Sequence, residues 1–170
     1  MVVSRRAHRR GLIPTTHRCE CRCSGPAVCD FAGRIIGVGT DIVKTARFER
    51  MTEHFMARVF TPRERAYLMH KSHVSAAGFF AAKEAVAKAL GTGFKGFWPA
   101  KIEIVHDCHG KPYVVLHDEA ARIAKRLASA VVRDSGTAPK AKYRCHKYAV
   151  DISISHTCDD AIAFAVLSIK

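Results

Sequence analysis

Four side chains have types and spacings that could do chemistry: Asp41, Glu84, Lys88 and His156. Asp41 follows "IIGVGT", so its carboxylate stands at the end of a β-rich run. Glu84 and Lys88 lie in "AAGFFAAKEAVAKALGTG", residues 76–93, an Ala- and Phe-rich stretch that would make a buried helix without its charges. Phe80, Glu84 and Lys88 are spaced i, i+4, i+8 and share one line along that helix. Beside it runs a core-facing line of Phe79, Val86 and Leu90, with Ala82 and Lys83 between them. The plain interpretation is an i,i+4 ion pair between Glu84 and Lys88, which contributes only about 0.2–0.5 kcal/mol. The alternative starts from Asp41. A carboxylate at a strand end and another on a buried helix can converge on one hard cation, and two carboxylates with phosphate oxygens and waters are the usual way to hold Mg²⁺. His156, in "SISHTC", adds a third polar group at an element end, where sites concentrate.

These side chains must be positioned by a small set of elements. "RIIGVGTDIV" reads as a buried strand, and Gly37 and Gly39 let another backbone or a ligand come close. Phe48, Met51, Phe55 and Met56 follow near helical spacing. "TPRE" is a helix start: Thr61 can cap, Pro62 suits the first helical position and Glu64 completes a capping box, with the helix running to about His70. The long helix spans about 72–90 and ends at Gly91. "KIEIVHD", the turn "CHGKP" and "YVVLH" form a hairpin, and "DEAARIAKRLASAVVRD" an amphipathic helix. "SGTAPKAKYRCHK" reads as an exposed loop. "AVDISIS" and "AIAFAVLSI" flank "HTCDD" in a second hairpin, and the last strand is apolar enough to be central and covered on both faces.

Together, and in this order, "IGVGTDIV" (36–43), "RVFTPRE" (58–64), "FAAKEAVAKALGTG" (80–93), "IEIVHDCHGKPYVVL" (102–116) and "ISISHT" (152–157) resemble the holo-[acyl-carrier-protein] synthases, the small 4′-phosphopantetheinyl transferases. The likeness covers about residues 34–170, apart from the loop near 134–148. It implies an α+β fold, the 4′-phosphopantetheinyl transferase fold, with an antiparallel sheet packed against a long central helix, in a homotrimer whose site lies at a subunit boundary. It implies transfer of the 4′-phosphopantetheine arm of coenzyme A to a serine of apo acyl carrier protein, with release of adenosine 3′,5′-bisphosphate and dependence on Mg²⁺, for which Mn²⁺ can substitute. By position, Asp41 and Glu84 match the metal ligands, and Lys88 the lysine that reaches the phosphate under attack. The serine proton needs an acceptor, and Glu84, directly or through a water on the metal, is the candidate base. Lys83, Gly91, His156 and Thr157 match the coenzyme A side, and Arg47 and Arg58 the basic positions that meet the acidic carrier. This chain departs from the family in having Phe79 where an arginine is common, and Lys44 where an acidic residue is common. Its loop with Lys140, Lys142, Arg144 and Lys147 is also longer.

The whole-chain totals agree with one domain. At 170 residues there is room for one proper core, and no apolar run approaches the roughly 20 residues that span a bilayer. The net charge of +13 attracts anions, but the chain carries no nucleic-acid-binding module or aromatic platform among its basic residues. Much of the excess sits in residues 1–33, a basic extension ahead of the transferase domain at 34–170. That extension is Arg-rich and acid-poor like an organellar transit peptide, which would place the protein in a mitochondrion or plastid; the alternative is a flexible tail on a cytoplasmic protein. Of the seven cysteines, Cys19, Cys21 and Cys23 lack the paired spacing of a zinc ribbon and read as reduced thiols. A pseudoenzyme is the remaining alternative, and the intact Asp41, Glu84, Lys88 and His156 speak against it.

Overall fold

The computed structural model describes residues 34–134 and 148–170. The expectations for the basic extension, its cysteines and the loop near 134–148 lie outside the described residues. Strands β1 (Ile35–Lys44), β5 (Asp160–Ile169) and β4 (Tyr148–His156) form an antiparallel sheet in the order β1-β5-β4. Strands β2 (Ile102–His106) and β3 (Pro112–Leu116) form a separate hairpin. Between the sheet and this hairpin lies α3 (His73–Ala89), the central helix that the sequence implies. The fold is α+β, and no helix among the described residues is long and apolar enough to cross a membrane.

The closeness of α3 to the sheet explains the two glycines. Ala77, Ala81, Ala85 and Ala89 share one buried line on the helix. A Cβ on Gly39 would lie 2.0 Å from the Ala85 carbonyl oxygen, and one on Gly37 equally close, 2.0 Å, to that of Ala89. What comes close to "GVG" is therefore the backbone of α3. The helix stops at Gly91, whose φ of 75° is in the left-handed region that glycine enters freely. The Gly91 and Gly93 amides then donate to the Lys88 and Ala87 carbonyls.

Helix α2 (Pro62–Leu68) begins with the expected capping box: Thr61 Oγ1 accepts from the Glu64 amide and the Glu64 carboxylate from the Thr61 amide. Helix α4 (Asp118–Asp134) also matches its expected span. Three expectations need correction. The stretch from Phe48 to Met56 is not one helix but a 3-10 turn, Thr45–Phe48, followed by α1 (Glu53–Val59); Thr52, extended, caps α1 by accepting from the Phe55 amide. Strand β1 is an edge strand, not a buried one: Val38 is 56% and Ile42 63% exposed. Strand β5 is central, but within one chain only one of its faces is covered. Ala161, Ala163, Ala165 and Leu167 face the core, while Ile162 and Phe164 stand 45% and 48% exposed, because α3 packs on only one side of the sheet.

Candidate active site

Asp41 lies on the same face of β1 as Gly39 and Val43, the face that meets α3. Lys88, one turn beyond Ala85, projects toward it. Its Nζ donates to Asp41 Oδ1 and to the Thr40 carbonyl, each at 2.8 Å. The Lys88 ion pair is therefore with Asp41, 47 residues away, and not the Glu84 pair that spacing alone suggests. Glu84 sits one turn back on the same line. Burial pushes its carboxyl pKa up, and the charge of Asp41 adds to this; Lys88 and Arg47 pull it back. Among the described residues no hydrogen bond or ion pair holds the Glu84 carboxylate. A neighbouring carboxylate that raises the Glu84 pKa, together with a Glu84 that has no partner among the described residues, makes a donor set that a divalent cation fits. No group of three metal-binding side chains exists among the described residues, so the other ligands would be phosphate oxygens and waters, as Mg²⁺ prefers.

Lys83 is elsewhere. It is 0% exposed, and its Nζ donates to Glu64 Oε2 at 2.8 Å and to the carbonyls of Pro99 and Ile102. An ammonium group has three protons to donate, and here all three have protein acceptors. The assignment of Lys83 to coenzyme A is corrected: it faces the hairpin side of α3, away from any surface.

His156 ends β4, on the opposite edge of the sheet from Asp41, with β5 between. It lines a pocket of about 200 Å³ with Tyr67, Gly78, Phe79, His106 and Pro112 among others. The Phe79 ring packs against Tyr67 and His106, with centroids 5.6 and 5.5 Å apart, and Tyr67 and His106 also stack on each other at 5.3 Å. Burial holds the His106 pKa down, and Lys71 lowers it further. Thr157 orders the neighbouring turn: its hydroxyl accepts from the Asp159 and Asp160 amides. Asp41, Glu84 and Lys88 thus come together within one chain, and His156 and Thr157 do not join them.

A family model described as the 4′-phosphopantetheinyl transferase superfamily matches residues 37–152. The chain belongs to this superfamily. It is 40% identical over 136 residues to the holo-[acyl-carrier-protein] synthase of Caldanaerobacter subterraneus subsp. tengcongensis, covering 77% of this chain and 93% of that one. Among solved structures it resembles the holo-(acyl-carrier-protein) synthase of Bacillus anthracis in complex with CoA (3′,5′-ADP), at TM-score 0.59 and 31% identity, over 80% of this chain and 98% of that one. The Neisseria meningitidis holo-[acyl-carrier-protein] synthase is similar at TM-score 0.59 and 32% identity, over 79% of this chain and 99% of that one.

In this transferase Gly91 is exposed at the end of α3, one turn past Lys88. Arg47 is exposed in the 3-10 turn after β1. Arg58, in the last turn of α1, lies over the exposed Trp98 ring at 3.9 Å. Lys44, the basic residue three positions after Asp41, pairs with Asp160 at 2.9 Å, so it braces the start of β5. The sequence gives little sign of the Glu64–Lys83 pair or the Tyr67–Phe79–His106 stack. The capping box identified Glu64, but it used only one of the carboxylate's roles.

Proposed function

We propose that this transferase moves the 4′-phosphopantetheine arm of coenzyme A onto a serine hydroxyl of an apo acyl carrier protein and releases adenosine 3′,5′-bisphosphate, with Mg²⁺ held by Asp41 and Glu84. The observation that carries the proposal is the convergence of Asp41, Glu84 and Lys88 where α3 meets β1, in a chain of this superfamily. A divalent cation held by Asp41 and Glu84 would neutralise pyrophosphate charge and polarise the phosphorus under attack. Lys88 is half-exposed, so its ammonium group can turn from Asp41 to a phosphoryl oxygen and stabilise the charge that develops there. The serine oxygen bonds to the β-phosphorus, the bond from that phosphorus to the leaving nucleotide phosphate breaks, and the serine proton needs an acceptor. Glu84 would take it, directly or through a water. Mn²⁺ takes the same oxygen donors and would substitute.

The second half of the site follows from the sheet. The exposed Val38, Ile42, Ile162 and Phe164 form an apolar outer face that a lone small domain does not need. Three copies closing over these faces would set the His156 pocket of one copy beside the Asp41 cluster of another. That pocket, walled by stacked rings and lined by His156, with Thr157 next to it in the turn, would hold the nucleotide of coenzyme A. Arg47, near enough to Glu84 to lower its pKa, and Arg58, over the exposed Trp98 ring, would present positive charge to an acidic carrier. The test is the fate of the nucleotide. With coenzyme A, Mg²⁺ and an apo carrier, chromatography should show one adenosine 3′,5′-bisphosphate per carrier loaded, and chelation should stop it. Release of any other nucleotide would refute the proposed bond cleavage.

A further inference from the structure

Lys83 has no place in the chemistry above, yet it is the charged side chain buried deepest in α3. Its partner Glu64 is 1% exposed and saturated: Oε2 accepts from Lys83 and from the Thr61 amide at 2.7 Å, and Oε1 from the Ile104 amide, also at 2.7 Å. With the Pro99 and Ile102 carbonyls, one ammonium–carboxylate pair joins α3 to the start of α2, the approach to β2 and β2 itself. Thr61 Oγ1 continues the network to Glu103, and Glu103 to His117.

The two sides of α3 do different work. On the sheet side the alanine line and Gly37 and Gly39 set how near the helix comes. That contact is apolar and non-directional. On the other side the bonds of Lys83 are directional. Residue 84 follows Lys83 by ~100° around the helix, so whatever fixes the rotation at Lys83 also fixes where Glu84 points. A side chain reaching about 5–6 Å from the axis moves about 2 Å for a ~20° turn, and misplacement of ~1 Å can cost ~10²-fold in rate.

We propose that Lys83 is a positioning residue: its buried pair with Glu64 fixes the rotation of α3 so that the Glu84 carboxylate faces Asp41. This rests on the assignment of Asp41 and Glu84 as metal ligands. Removing only one partner would strand a buried charge, so the informative variant changes both: Lys83→Met with Glu64→Gln keeps volume and removes both charges, while the Pro99 and Ile102 carbonyls lose their ammonium donor and one of the Thr61 and Ile104 amides loses its acceptor. Glu64→Asp, which keeps the charge and shortens the reach by one methylene, is the milder companion and serves if the double variant does not fold.

Two binding constants are measured on folded protein: coenzyme A by calorimetry with chelator present, and Mn²⁺ by loss of the free-ion EPR signal with coenzyme A saturating. Positioning predicts that the coenzyme A Kd changes less than ~3-fold while the Mn²⁺ Kd rises about 10–100-fold, the usual effect of losing a group that orients a metal ligand. Turnover should fall through kcat. An unchanged Mn²⁺ Kd in either folded variant would overturn the proposal, as would an equal loss of coenzyme A binding, which would mean that Lys83 touches substrate. Glu84→Ala in the wild-type background separates the two failures: if it leaves Mn²⁺ binding unchanged, the metal assignment falls and this proposal with it.

Discussion

Replacing Lys88 by Met separates what this side chain contributes to stability from what it contributes to the reaction. Lys88 is 48% exposed and its partner Asp41 16%, so the ammonium end of the ion pair is open to water. Pairs of that kind are worth about 0–1 kcal/mol. The Met stem keeps most of the aliphatic contact. A loss of at most ~1 kcal/mol lowers Tm by no more than about 4 °C in a chain of this size. The reaction should lose far more. A preorganised charge aimed at a transition-state oxygen is typically worth about 10²–10³ in kcat. Metal binding should move the other way. In the folded protein the ammonium already occupies Asp41 Oδ1, so it competes with the cation for that oxygen. Lys88→Met should therefore leave Mn²⁺ affinity unchanged or tighten it, whereas Asp41→Ala and Glu84→Ala should weaken it and nearly abolish transfer. Thermal melts, Mn²⁺ titration and steady-state kinetics on one preparation give all three readouts. A variant that kept kcat within tenfold, or that bound Mn²⁺ more weakly, would refute the role given to Lys88.

Other outcomes follow from named contacts. Glu84 has its pKa raised, first by burial and then by Asp41, so its folded-state cost is absent below the unfolded pKa and fully present above the folded one. Glu84→Gln should therefore melt above wild type at neutral pH without metal, the gain should vanish at acid pH, and Mg²⁺ should reverse it; equal melts throughout would show that Glu84 carries no such cost. Phe164→Glu places a charge in the middle of the apolar outer face, and sedimentation should show the wild type as the proposed three-copy assembly and the variant as a smaller species; a variant of wild-type size would mean that this face is not an interface. Arg47→Glu should raise the KM for the carrier, increasingly at low salt, and leave the KM for coenzyme A nearly unchanged. Residues 1–33 fused to a fluorescent protein are expected to direct it to an organelle, and diffuse cytosolic fluorescence would count against that.

Much of the architecture is legible because its signals are local. The "TPRE" capping box, the stop at Gly91 and both hairpins depend on neighbours in sequence, and each appears where expected. What failed depends on which face meets which partner. Strand β1 looks buried because its Ile and Val are continuous, but exposure is decided by α3 covering one side. Spacing alone pairs Lys88 with Glu84, whereas the close approach permitted by Gly39 delivers it to Asp41. Lys83 stands beside the candidate ligand in sequence, and the ~100° step of the helix turns it toward Glu64 instead. The separation of His156 from Asp41 follows from strand order, which no motif states.

The central claim is that Asp41 and Glu84 support transfer of the phosphopantetheine arm. Its most direct test is the intact mass of an apo acyl carrier protein after incubation with coenzyme A, Mg²⁺ and either the wild-type chain or the Asp41→Ala or Glu84→Ala variant. The wild type should add one 4′-phosphopantetheine group, lost when the acceptor serine is changed to alanine. The folded variants should leave the mass unchanged over the same time. A carrier whose mass does not change with the wild-type chain, or changes equally with either variant, would contradict the account.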